Sequence, residues 1–479
     1  MRGPPPAVPG VATRGVLGHE AVPLQLAQVV RRRAGVQAEP GRQRGRRGRP
    51  VDAEQAEHPQ PERVGQRLEG LGARGDGGDV HGSTVRLQRD ICKRFFAVTS
   101  CSVAAVLPQL LVPFVATLAM ALPHAAPDRP ADVLADMSLA QRVGQLFMVG
   151  TPAAEVDQRT RAQIGRYHVG NVMLTGRSYG GVRAPKHVSK VMRAEVDAAS
   201  TDRVRLLVAT DQEGGLVQVL QGGAFSDMPS ALTQGSWGLP KLRGAARAWA
   251  GQLQSAGVNM NLAPVMDTVP SPQAAQHNPP IGGYQREFGF TTRVVAHHGV
   301  AFLRGMTDGH VVPTVKHFPG LGRVRANTDT HANVTDRVTR RHDPYFRPFR
   351  AAVTAGVPAV MMSTAYYTRL DPRHPAAFSP FVIGTVLRGD LGFTGVVISD
   401  DLARAKQVAS FSPAGRALRF IGAGGDIVLT VDPDPLPAMY DAVLARARTS
   451  EKFRDKVDAA ALRVLRAKDR QGLLPTVRP

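Results

Sequence analysis

Several short apolar runs in this chain end on side chains that can do chemistry. Asp211 ends "RLLVATD", Asp267 ends "VNMNLAPVMD", Lys316 and His317 lie near the end of "VVPTVKHF", and Asp400 with Asp401 ends "GVVISDD". Between the last two runs lies a polar segment carrying Asp329-Thr330-His331. An ionised carboxylate within bonding reach of an electrophilic carbon is a nucleophile. A histidine oriented by a carboxylate holds a proton available near neutral pH. Each group also has a plainer reading. Asp401 could cap the next helix, His331 could be an exposed loop histidine, and Lys316 and His317 could be structural. One acidic residue at the end of an apolar run is usually a cap or turn former, but several polar groups converging from separated runs are harder to explain that way.

The elements that must position these groups form a regular series. Eight apolar runs bounded by turn residues or a charge occur at 146–150, 170–176, 205–211, 258–267, 311–318, 358–365, 395–401 and 426–431. Stretches with helical spacing separate them, for example 289–307 and 344–355, and Ser138 is placed to cap a helix leading into the first run. Near-continuous apolar strands alternating with helices mark a parallel sheet covered by helices. Eight such units predict an α/β fold, a (β/α)8 TIM barrel forming a single catalytic domain over 127–479. In such a barrel the reactive groups stand at the C-terminal ends of the strands, which is where these groups fall. No G-x-G-x-x-G follows the first strand, which argues against a dinucleotide-binding fold.

The chain before the barrel reads differently. Residues 1–84 are rich in Gly, Pro and Arg, as in "GRQRGRRGRP", and hold no sustained apolar period. They are expected to be disordered, or to precede the true start of translation. A basic patch (Arg86, Arg89, Lys93, Arg94) then leads into Ala97–Leu122, which has no charged residue. Segment 85–126 therefore reads as a signal peptide, with a membrane anchor through 97–122 as the alternative. Export of the barrel follows from either. Both cysteines, Cys92 and Cys101, lie in this segment, so the barrel has no disulfide or thiolate metal site. The net charge of +21 would favour polyanions. Without basic clusters interleaved with aromatics it points to an arginine-rich composition rather than to nucleic acid. No H-E-x-x-H or comparable cluster suggests a metal, and no cofactor is implied.

Three segments carry a resemblance: "ATDQEGGLVQVL" (209–220), "KHFPGLGRVRANTDTH" (316–331) and "GVVISDDL" (395–402). In this order, and together with "MSLAQRVGQLFMVG" (137–150), they resemble family 3 glycoside hydrolases. The closest likeness is to the single-domain bacterial β-N-acetylhexosaminidases of peptidoglycan turnover. The resemblance spans roughly 137–475 and implies a retaining exo-β-N-acetylglucosaminidase acting on peptidoglycan fragments or chitooligosaccharides through a covalent glycosyl-enzyme. It implies Asp400 as nucleophile, His331 backed by Asp329 as acid/base on a mobile loop, and Asp211, Arg286, Lys316 and His317 as grips on the terminal sugar. A Lys316–Asp211 pair would fix the geometry of both side chains.

Two departures from the family pattern bear on these roles. The segment from Gly322 to Asp329 is about two residues longer than usual, with Leu321 where the family often has histidine. The arginines that commonly follow Glu-Gly-Gly are absent. A β-glucosidase-like hydrolase, a phosphorylase on the same scaffold and a non-catalytic sugar-binding protein remain alternatives at this stage, and the oligomeric state is open.

Overall fold

The computed structural model describes residues 128–476. The expectations for 1–84 and for the signal or anchor at 85–126 fall outside the described residues. The chain enters through two helices, Arg129–Asp136 and Leu139–Gly144. The second opens with a reciprocal cap. The Ser138 hydroxyl accepts from the Gln141 N–H at 3.2 Å, and the Gln141 side chain accepts from the Ser138 N–H at 2.9 Å. This satisfies two backbone donors that a helix start leaves open.

Eight parallel strands follow, each overlapping one of the eight apolar runs. They are β1 (Phe147–Pro152), β2 (Asn171–Thr175), β3 (Leu207–Thr210), β4 (Met260–Asn261), β5 (Val312–Phe318), β6 (Ala359–Met362), β7 (Val396–Ser399) and β8 (Val428–Thr430). They pair in sequence order, with β8 beside β1, and an Ile398–Ile427 bridge joins β7 to β8 and completes the ring. The fold is a (β/α)8 barrel.

The helical spacing at 289–307 and 344–355 appears as Thr292–Asp308 and as a 3-10 turn, Pro344–Phe346, running into Arg347–Thr354. The run at 258–267 gives only a two-residue strand. Pro264 has no N–H to offer the ladder, and pairing resumes beyond it where Met266 N–H donates to the Lys316 carbonyl at 2.6 Å.

Alternation along the strands divides the core in two. Met148, Met173, Leu207, Met260, Met361, Ile398 and Leu429 fill the barrel interior. Their neighbours Val149, Val172, Val208, Val360 and Val397 face outward into the larger core beneath the helices. The final helix, Glu451–Asp469, contributes Val464 and Ala467 to the inner cluster. From the same helix the fully buried Lys468 bonds Gln145 Oε1 at 2.6 Å and the Gly170 carbonyl at 2.8 Å, just ahead of β1 and β2. Burial lowers the pKa of this lysine. The N-terminal end of the barrel is thus plugged, which leaves the C-terminal mouth for chemistry. Among the described residues no helix is long and apolar enough to cross a membrane.

Candidate active site

Beyond β3 the chain continues into a small hairpin, Gln212–Gly214 against Val217–Gln218. In extended backbone, residues two apart share a face. Asp211 and Glu213 both reach the same ammonium group, while Gln212 turns away and is held by the backbone of Leu220, 2.8 Å from its carbonyl and 3.0 Å from its N–H. Gly214 has a φ of +108°, and a Cβ there would collide with the Pro229 carbonyl, so the turn requires glycine.

β5 supplies Lys316 and His317, both nearly inaccessible. Lys316 Nζ lies 2.5 Å from Asp211 and 2.6 Å from Glu213. Glu213 in turn receives a two-pronged contact from the Arg286 guanidinium, with both bonds at 2.8 Å. The Arg286 loop is pinned by Asn278, whose amide donates to the carbonyls of Leu321 and Val324 at 2.8 Å each and accepts from the N–H groups of Ile281 and Gly282.

Asp267, fully buried, accepts from His317 Nδ1 at 2.7 Å and from the N–H groups of His317 at 3.2 Å and Leu321 at 2.8 Å. With Nδ1 donating to Asp267, His317 Nε2 is turned toward Arg286, 3.4 Å away. The result is one continuous network, Asp211–Lys316–Glu213–Arg286–His317–Asp267, drawn from the ends of β3, β4 and β5.

Opposite charges hold this network ionised. Burial works to raise the Glu213 carboxyl, but Arg286 and Lys316 outweigh it and pull the pKa down to about 2. Burial likewise works against the Lys316 ammonium, but Asp211 and Glu213 reverse the effect and raise its pKa. Rigid charged donors and acceptors of this kind suit a ligand that presents many hydroxyls in fixed directions.

Asp400 follows β7. Its N–H donates to the Met362 carbonyl at 3.1 Å. Among the described residues its carboxylate accepts one hydrogen bond, from the Asp401 N–H at 2.9 Å, which leaves an oxygen free to react. Asp401 is engaged by backbone, but in a loop turn and not as the helix cap that its plainer reading expected, since the next helices are capped at Ala405 and Ser412. Its two oxygens accept from the N–H groups of Ala403 at 2.9 Å, Arg404 at 2.9 Å and Val431 at 3.0 Å.

The Asp-x-His pair behaves differently from expectation. His331 is exposed, and its Nδ1 lies 2.8 Å from Thr330 Oγ1. Among the described residues no hydrogen bond joins it to Asp329, so the orienting contact is absent in this conformation. Solvent reaches much of Asp329, but protein atoms crowd its carboxyl. That crowding first, and the negative charge of Asp400 second, push its pKa up to about 6, with Arg286 and His317 pulling the other way. Asp329 therefore feels the charges of the site, and His331 bonds to its own turn.

The structure brings Asp211, Arg286, Lys316 and His317 into one network, with the Lys316–Asp211 pair in place. Glu213 was missing from the sequence candidates, and Asp267 was among the run-ending groups without an assigned role. Glu213 could have been found from its two-residue spacing to Asp211. Asp267 stood at the end of an apolar run, but nothing in the sequence paired it with His317, fifty positions on. Leu321 is buried, and only its backbone N–H serves the site. Among the described residues no group of three or more His, Cys, Asp or Glu is arranged to hold a metal ion.

A parallel (β/α)8 barrel with a largely uncommitted carboxylate at one strand end and an ionised network at others is an arrangement that glycoside hydrolases share. The chain belongs to glycosyl hydrolase family 3, whose N-terminal-domain profile matches residues 138–467. It is 30% identical over 327 residues to a β-hexosaminidase of Stenotrophomonas maltophilia (strain K279a), covering 66% of this chain and 92% of that one. Among solved structures it is similar to the β-N-acetylhexosaminidase of Beutenbergia cavernae DSM 12333, with 52% identity, a TM-score of 0.69, and coverage of 70% and 99% of the two chains. It is also similar to a family 3 β-N-acetylglucosaminidase from Paenibacillus sp. str. FPU-7, with 31% identity, a TM-score of 0.64, and coverage of 72% and 64%.

Proposed function

We propose that this glycoside hydrolase is a retaining exo-β-N-acetylglucosaminidase. It removes terminal β-linked N-acetylhexosamine from peptidoglycan fragments or chitooligosaccharides. The observation that carries the reading is the pairing of Asp400, whose carboxylate is largely uncommitted, with the ordered network around Lys316 and Arg286. The names of the similar proteins support the choice of sugar.

In this reading the network grips the hydroxyls of the terminal sugar through Asp211, Arg286, Lys316 and His317. Glu213 and Asp267 hold those side chains in place. Asp400 attacks the anomeric carbon, the glycosidic C–O bond breaks, and the leaving oxygen takes a proton from the Asp329–Thr330–His331 turn. Water then attacks the same carbon, gives its proton back to that turn, and releases Asp400 with the sugar in its original configuration. Of the two titratable groups in the turn, Asp329 is the one whose ionisation feels the charge of Asp400. His331 joins it once its bond to Thr330 is exchanged for one to Asp329. Export, argued from the basic patch and uncharged run before the barrel, would bring the enzyme to wall fragments.

A panel of nitrophenyl glycosides tests the reading. The β-N-acetylglucosaminide should be cleaved with kcat/KM at least about tenfold above the β-glucoside, a gap of ~1.4 kcal/mol in transition-state binding. Preference for the β-glucoside would overturn the choice of sugar.

A further inference from the structure

We infer that Gln407 is a positioning residue that holds the proton-donating turn at a set place relative to the nucleophile. The inference rests on the roles proposed for Asp400 and Asp329.

Asp400 leads directly into the loop 401–411, and that loop is braced from two sides. Asp401 caps it through Ala403 and Arg404 and ties it to Val431. The largely buried Arg416 donates to the carbonyls of Leu402 at 2.7 Å, Ala403 at 2.9 Å and Phe411 at 2.8 Å. The platform beyond the nucleophile is therefore rigid.

From this platform Gln407, 3% exposed, reaches across to the turn that carries Asp329 and His331. Its backbone N–H donates to the Thr328 carbonyl at 3.0 Å, and the Lys406 N–H donates to the Asp329 carbonyl at 3.2 Å. Its side-chain oxygen accepts from the Val334 N–H at 2.8 Å, and its amide donates to the Val334 carbonyl at 3.3 Å. Residues 329–333 between these anchors are all exposed. Gln407 thus bonds both ends of an otherwise solvent-facing strap, through its backbone at Thr328 beside Lys406 and through its side chain at Val334.

The residue type fits the task. A carboxamide offers a donor and an acceptor together, so it can match the N–H and C=O of one backbone residue. Leucine of similar size offers neither. Ionised glutamate keeps the acceptor, loses the donor and places a charge in a buried position. Proton transfer in the transition state demands close placement, and a displacement of about 1 Å can lower a rate on the order of 100-fold. The 329–333 backbone reaches beyond its own turn through the Asp329 carbonyl. Val334 is held both by the Gln407 side chain and by the Tyr366 N–H, which donates to its carbonyl at 3.0 Å. Gln407 therefore acts with Tyr366 in setting where Asp329 stands relative to Asp400.

The test compares kcat/KM for a poor leaving group (the β-linked N-acetylglucosamine disaccharide) and an activated one (the 2,4-dinitrophenyl glycoside). In the full chain, Gln407→Leu should lower the first by about 10- to 100-fold while the second changes by less than about threefold. Its alkaline pH limb on the disaccharide should shift relative to wild type. Gln407→Glu should fall between wild type and Gln407→Leu, and it carries the same comparison if Gln407→Leu does not accumulate as folded protein. Equal losses on both substrates would mark Gln407 as merely structural and overturn the proposal, as would no loss on either. Asp329→Asn run in parallel separates the two levels. If Asp329→Asn shows the leaving-group split and neither Gln407 variant does, the clamp alone is wrong. If Asp329→Asn shows no split, the proton-donor reading fails, and the clamp's role fails with it.

Discussion

The negative charge of Asp400 raises the pKa of Asp329, two carboxylates that come from different strand-end loops, after β7 and after β5. The crowding of the Asp329 carboxyl acts in the same direction, and its pKa lies at about 6. A carboxylic acid whose pKa is raised beside a second carboxylate can serve as the proton donor to that neighbour's nucleophile.

A proton donor must be protonated to act. With Asp329 titrating at about 6, kcat/KM for a poor leaving group should fall as pH rises through that value. Asp329→Asn should remove the limb and lower the rate by roughly 10²–10⁴-fold, with a smaller loss on dinitrophenyl substrates. His331→Ala should show the same selectivity if the histidine completes the donor. A limb that survives in Asp329→Asn would assign the titration elsewhere.

Asp400→Ala should reduce turnover by on the order of 10⁴-fold or more without lowering the melting temperature, because its carboxylate accepts only the neighbouring Asp401 N–H among the described residues. A 2-deoxy-2-fluoro donor should label the wild-type peptide containing Asp400, and the first product from an ordinary substrate should keep the β configuration. An inverted product, or a label on Asp401 or Asp267, would refute the assignment.

Glu213 should behave in the opposite way. It is buried between Arg286 and Lys316, and truncating one partner of such a pair costs about 3–5 kcal/mol, so Glu213→Ala should lower the melting temperature as well as activity. Its folded pKa of about 2 lies below the ordinary value of 4.5. Its stabilisation is therefore fully present above 4.5 and is lost as pH falls through about 2. Thermal denaturation across that window should show a steeper acid loss in wild type than in Glu213→Gln. Equal slopes would mean that Glu213 does not contribute.

The raised pKa of Asp329 carries the reverse sign. It favours the folded state below 3.8, and that contribution is lost as pH rises through about 6. At neutral pH the carboxylate strains the fold, so Asp329→Asn should melt at a higher temperature than wild type while losing activity. A lower melting temperature at pH 7 would show that the turn depends on the charge.

The amino-acid sequence by itself determined the strands and the groups that end them. Apolar runs of strand length bounded by turn residues are local patterns, and Asp211, Lys316, His317 and Asp400 are each placed by the run they terminate. It also carried the capping role of Ser138, and the family resemblance suggested the Lys316–Asp211 pair. Only the tertiary structure decided which polar groups meet. Glu213 reaches Arg286 across 73 positions, and Gln407 reaches Val334 across another 73. Asp267 meets His317 because β4 and β5 lie side by side. The bond of His331 to Thr330 in place of Asp329 was equally beyond local reading. Two neighbouring side chains on a turn choose their partners by backbone direction, and the anchors at Thr328 and Val334 set that direction from a different strand. Such contacts form only when the ring of strands brings distant loops to one mouth, and no local spacing records them.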